Sequence, residues 1–89
     1  MKTVRLIIKG KVQGVFYRAT AKNVAELIGV KGWVRNLPNS NVEITATAAE
    51  DTLQKYIAWC KQGPSNAKVD GVIVDELPLQ EFNGFKIIR

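Results

Sequence analysis

The sequence predicts an α+β fold of two layers, with two helices packed on one face of a mostly antiparallel sheet. Two observations carry this expectation. Apolar residues alternate with polar ones along several short runs, the signature of half-buried strands, and two intervening segments carry apolar stripes at helical spacing. At 89 residues the chain holds one compact core but hardly two, so a single domain over residues 1–89 is expected.

The first strand is read from Val4, Leu6 and Ile8 alternating with Thr3, Arg5 and Lys9, Ile7 being the apolar exception, and it ends near Gly10. From Tyr17 the pattern becomes helical through Ala21, Val24, Ala25 and Ile28, stopping at Gly29, a natural C-terminal cap. A strand over roughly Lys31 to Leu37 and another with Val42, Ile44, Ala46 and Ala48 on one face flank the turn residues Pro38-Asn39-Ser40, which reads as a hairpin. Glu50 and Asp51 open a second helix, where its dipole favours negative charge; Leu53, Tyr56, Ile57 and Cys60 form its stripe, and Gly63-Pro64 ends it. Runs over Val69 to Glu76 and Phe82 to Arg89 complete the order strand, helix, strand, strand, helix, strand, with a final short strand. That order is the split βαβ, or ferredoxin-like, sandwich (βαββαβ).

Composition narrows the function. With 46% hydrophobic and 24% charged residues the chain is an ordinary globular sequence rather than a disordered one. Neither a signal peptide nor a membrane-length apolar run is visible, and Cys60 has no partner for an intramolecular disulfide, so a soluble cytoplasmic protein is expected. The absence of histidine removes Ser-His and Cys-His nucleophilic chemistry and the commonest metal ligand, leaving carboxylates, amides, hydroxyls, Lys and Arg. A net charge of +5 favours anionic partners, whether a nucleic acid or a small phosphorylated molecule.

One segment, Gly10 to Arg18, joins a strand to a helix in a way that lets successive backbone N–H groups converge on an anion. Gly10 and Gly14 relax the backbone, the helix N-terminus adds partial positive charge, Lys11 adds long-range attraction, and Arg18 supplies a planar, permanently charged fork. A glycine-containing connector with a surface arginine fits the same residues. The G-x-x-x-x-G-K-[ST] phosphate loop is absent, and Cys60 lacks a nearby downstream arginine, which disfavours covalent catalysis.

Gly10-x-Val12-Gln13-Gly14-Val15-x-Tyr17-Arg18 together with Gly32-Trp33-Val34-Arg35-Asn36 resembles the paired signatures of the acylphosphatase family. The resemblance covers essentially the whole chain, down to the closing Phe85-Lys86-Ile87-Ile88-Arg89. It implies hydrolysis of small acyl phosphates without metal or cofactor. Arg18 and the backbone N–H groups of Gln13, Gly14, Val15, Phe16 and Tyr17 would bind phosphate, and Asn36 would orient the attacking water. Chemistry makes the assignment sensible: a carboxylate leaves readily from this mixed anhydride, so a site without histidine needs only to hold an anion and present water in line.

Placing Asn36 beside the loop is expected of a fold in which the first strand and the strand carrying Asn36 are neighbours. Tyr17, Ser40 and Ala48 depart from the family's usual phenylalanine or methionine, glycine and glycine. A buried Tyr17 hydroxyl would need a partner, and Asn39 is expected to take a left-handed conformation that spares Ser40. Trp33 and Trp59 are read as packing residues, Cys60 as a buried small hydrophobe, and Asp70, Asp75 and Glu76 as solvent-facing groups rather than metal ligands. Two alternatives share the fold. A nucleic-acid-binding module would need aromatics on its central strands, and Val4 to Lys9 and Val42 to Ala48 contain none, so no nucleic-acid partner is expected. A carbamoyl-phosphate-handling domain is what the resemblance implies inside larger maturation enzymes, whereas an isolated domain is expected here, and with no obvious exposed apolar stripe a monomer is expected.

Overall fold

The computed structural model describes residues 1–89. Its elements follow the expected order: β1 (Lys2–Lys11), α1 (Tyr17–Ile28), β2 (Lys31–Asn36), β3 (Val42–Ala48), α2 (Glu50–Gln62), β4 (Lys68–Leu77) and β5 (Phe85–Ile88). The strands form one sheet in the order β4-β1-β3-β2-β5, antiparallel except where β5 runs parallel to β2. The last strand is shorter than its sequence suggests. Phe82 and Asn83 belong to the connection, and Gly84, at φ +79°, turns the chain into β5.

Val4, Leu6 and Ile8 of β1, Val34 of β2 and Val42, Ile44, Ala46 and Ala48 of β3 form the sheet's side of the core. From the helices come Tyr17, Ala21 and Ala25 of α1 and Leu53, Tyr56, Ile57 and Cys60 of α2. The two tyrosines tie the helices together reciprocally: the Tyr17 hydroxyl donates to the Cys60 carbonyl at 2.8 Å, and the Tyr56 hydroxyl to the Ala21 carbonyl at 2.9 Å. The first bond meets a specific need. The Cys60 carbonyl lies in the last turn of α2, and the residue four positions on is Pro64, which has no N–H to offer it. Trp59 packs between the same rings, 5.4 Å from Tyr17 and 6.1 Å from Tyr56, as its packing role requires.

Every residue of β3 is buried, where the alternating pattern implied one wet face. The strand is central, and the open face above it is covered by its neighbours. Glu43 accepts a hydrogen bond from Arg35 Nε at 2.6 Å and sits 4.0 Å from Arg5, which in turn reaches Asp75 at 3.6 Å. The result is an alternating ladder of charge across β4, β1, β3 and β2, with the Arg35 guanidinium 5.4 Å above the Trp33 ring. Thr3 and Thr47 are buried beneath the β4–β5 connection, whose Gln80 N–H donates to Thr3 and whose Gln80 carbonyl accepts from Thr47, both at 2.8 Å.

The expected adjacency of β1 and β2 does not hold: β3 lies between them. The apolar, small-residue strand of the hairpin takes the centre, and β2, with Trp33 and Arg35 on its open face, is displaced outward. The hairpin turn differs as well. Asn39 spends its side chain accepting the Asn41 N–H at 3.2 Å, and Ser40 takes the left-handed conformation at φ +76°. At the end of β1 the register shifts by a bulge between Lys9 and Gly10. Gly10 has φ +125°, and a Cβ there would lie 2.1 Å from the Lys68 carbonyl oxygen, so only glycine lets β1 bulge there and still pair with β4 through Lys11.

Candidate active site

The loop leaving Gly10 crosses the end of the sheet, over the β2–β3 hairpin, before starting α1. The Gln13 side chain secures it there, its amide nitrogen donating to the Leu37 carbonyl at 2.9 Å and to the Asn41 carbonyl at 2.8 Å. Asn36 immediately precedes Leu37, so this clamp sets the distance between the loop and the end of β2. Asn36 thereby reaches the loop although its strand is two places from β1.

Gly14 at φ +73° and Phe16 at φ +63° curl the loop, and Phe16 is the residue preceding the first turn of α1. Phe16 is non-glycine in a conformation that L side chains avoid, and its ring is exposed. The N-terminus of α1 has no side-chain cap and no acidic residue in its first turn. Its first N–H groups therefore receive no bond from a capping side chain, the condition under which a helix N-terminus can take an anion. The Phe16 carbonyl faces back into the helix, accepting from Thr20 N–H at 3.0 Å and from Thr20 Oγ1 at 2.8 Å.

A cavity of about 280 Å³ opens at this point, lined by Val12, Gly14, Phe16, Tyr17, Arg18, Ala19, Asn36, Ile87 and Arg89. Arg18 and Asn36 thus share one cavity. The Asn36 Oδ1 is buried and has no hydrogen-bond partner, the one buried side-chain oxygen or nitrogen in the chain of which this is true. Of the loop residues whose backbone N–H groups are expected to bind phosphate, Gly14, Phe16 and Tyr17 line the cavity, while the Gln13 side chain serves the hairpin and the Val15 side chain is buried in the core. Ile87 and Arg89 were missed as lining residues, although the alternation Phe85, Ile87, Arg89 signals one face of the last strand.

Neither a carboxylate side chain nor an amine lines the cavity. Burial pushes the Cys60 thiol up to about 12, and both core tyrosines are likewise raised by burial, so none of these serves as a base near neutral pH. What the arrangement offers is fixed positive charge, a helix N-terminus without a side-chain cap and one amide.

Fold and site together define a small ferredoxin-like domain in which a strand-to-helix loop, an arginine and an unpartnered amide share one cavity. The acylphosphatase family model matches residues 4–87. An acylphosphatase of Methylococcus capsulatus is 42% identical, over 100% of this chain and 98% of that protein. A Bacillus subtilis acylphosphatase structure superposes with a TM-score of 0.96 at 33% identity, covering 100% of both chains. Full-length HypF, in a phosphate- and nucleotide-bound form, contains a similar domain (TM-score 0.88, 28% identity), matched by 99% of this chain but only 12% of that one. The chain belongs to the acylphosphatase family.

Proposed function

We propose that the chain hydrolyses small acyl phosphates to a carboxylate and inorganic phosphate at the cavity shared by Arg18 and Asn36. The observation that carries the roles is the buried, unpartnered Asn36 Oδ1 in a cavity that also holds the Arg18 guanidinium. A buried acceptor without a partner costs about 1–3 kcal/mol, which a hydrogen bond from the nucleophilic water relieves.

In this reading the phosphoryl oxygens sit on Arg18 and on N–H groups of the loop and the α1 N-terminus. Asn36 accepts one O–H of the water, whose lone pair then faces phosphorus. The new P–O bond forms as the bond from phosphorus to the acyl oxygen breaks, and the acyl oxygen leaves with the electron pair as carboxylate. With no side-chain base lining the cavity, the water proton passes to a phosphoryl oxygen. Arg18 spreads the developing charge, and the amide's work is positioning. No metal or cofactor enters the proposal, and the expected setting is a cytoplasmic monomer acting on small molecules.

A purified protein tested on benzoyl phosphate with chelator present is expected to turn over. Arg18→Ala and Asn36→Ala, shown to be folded by circular dichroism, are each expected to lose about a hundredfold or more in kcat/KM. Equal rates in the three proteins would end the assignment.

A further inference from the structure

The cavity is lined by a second arginine, Arg89, that the reading above leaves unused. Phe85 and Ile87 face the helices, and the alternation of an extended chain carries Arg89 to the same side, where it lines the cavity beside Ile87. Arg18 and Arg89 enter from different elements, the first turn of α1 and the end of β5. The basic partners in the chain's ion pairs are Lys2, Arg5 and Arg35, so neither of the two cavity arginines is ion-paired with an acidic side chain. At about 280 Å³ the cavity also exceeds what a phosphoryl group fills and approaches the lower end of small-molecule sites.

We propose that Arg89 is a specificity-determining residue that selects acyl phosphates carrying a second anionic group on the acyl moiety, such as the monophosphates of dicarboxylic acids. The inference rests on the acyl phosphate reading. With the phosphoryl group held by Arg18 and the loop, the acyl moiety extends over Ile87 toward Arg89. There a distal carboxylate meets a planar donor fork, while a purely apolar acyl group leaves that charge unpaired. The exposed Phe16 ring at the rim accommodates the hydrocarbon between the two charges.

The test compares kcat/KM for 4-carboxybenzoyl phosphate and 4-methylbenzoyl phosphate, rigid substrates of similar shape that differ in one charge. Wild type is expected to favour the carboxylated substrate about tenfold, the scale of one charge-assisted hydrogen bond. Arg89→Gln should bring the ratio close to one, and Arg89→Lys should retain part of it. Raising ionic strength should shrink the wild-type ratio, a measurement that requires no variant to fold. The proposal is overturned if wild type shows no preference, or if Arg89→Gln lowers both substrates in equal proportion, because Arg89 would then serve the phosphoryl group or the fold. Turnover of neither substrate nor of benzoyl phosphate by wild type would instead refute the acyl phosphate reading itself, and this inference with it.

Discussion

Replacing Gln13 by methionine tests whether the clamp between loop and hairpin contributes to catalysis or only to stability. Methionine keeps the length of the side chain and removes its donors. Two hydrogen bonds disappear, to the Leu37 and Asn41 carbonyls, but neither oxygen is stranded. The Leu37 carbonyl still accepts the Ser40 N–H at 3.2 Å, and the Asn41 carbonyl still accepts the Leu37 N–H at 2.8 Å. The loss is therefore the net worth of two neutral bonds without a full desolvation penalty, about 1–2 kcal/mol. In a domain of this size that lowers Tm by about 5–15 °C. The catalytic consequence is larger than the energetic one. Asn36 and the phosphate-receiving loop belong to separate elements, and a shift of about 1 Å between them costs up to about a hundredfold in rate. Thermal melts together with kcat, KM and the inhibition constant of inorganic phosphate separate the effects. The expected result is a fall in kcat much greater than any weakening of phosphate inhibition, because Arg18 and the loop still bind the anion while the amide is misplaced. A lowered Tm with kcat unchanged would show that Gln13 stabilises the hairpin and positions nothing.

Other expectations follow from single contacts. Gly10→Ala places a methyl group against the Lys68 carbonyl and should destabilise the fold by more than about 3 kcal/mol, measured by urea unfolding. Ser40→Gly relieves a left-handed serine in an exposed turn and should raise stability by about 1 kcal/mol with kcat/KM intact. Tyr17→Phe strands the buried Cys60 carbonyl, which Pro64 cannot serve, and should cost about 1–3 kcal/mol by the same assay. Stability should also decline in alkali. The folded Cys60 thiol is raised by burial from an ordinary 9.0 to about 12, so between those values the native state holds a proton that the unfolded chain has released. Stability is full below pH 9.0 and decreases as pH rises toward 12, with the raised tyrosines adding in the same direction. A denaturation midpoint that rises across that window would contradict the burial argument.

Much of the fold is legible in the sequence because faces and caps are local properties. The stripe from Tyr17 to Ile28 and its stop at Gly29, whose N–H bonds the Ala25 carbonyl, depend on spacing and on one left-handed residue, both written in the chain. Strand neighbours are not local. Alternation told which side of β1 and β3 faces the helices but not that β3 separates β1 from β2, since pairing order depends on which hairpin strand buries better at the centre. The same limit applies at the site. Residue types make Arg18 and the loop a candidate anion site and the family resemblance gives them their expected role, whereas Gln13's turn toward the hairpin and Arg89's arrival from the far end of the chain require the tertiary arrangement. Ser40 shows a subtler limit: two polar residues could each take the left-handed position, and the side-chain bond from Asn39 to the Asn41 N–H leaves it to Ser40.

The distribution of local costs argues for the same site independently of any motif. Elsewhere the chain resolves its polar groups with care: Glu43 is buried but bonded to Arg35, Thr3 and Thr47 are buried but bonded to each other at 2.6 Å and to Gln80, and both core tyrosine hydroxyls find carbonyls. The exceptions converge around a single cavity. Phe16 holds a left-handed backbone and an exposed ring, the α1 N-terminus is uncapped, Asn36 Oδ1 is unpartnered, and Arg18 and Arg89 line the cavity without an ion pair to an acidic side chain. Of these, the uncapped helix N-terminus and the buried, unpartnered Asn36 oxygen carry unmet hydrogen-bonding capacity, which the proposed binding of an anion and a water molecule would satisfy. Polar groups left without partners in one place and satisfied everywhere else are what the proposed hydrolysis requires, a site kept for charge and a water molecule.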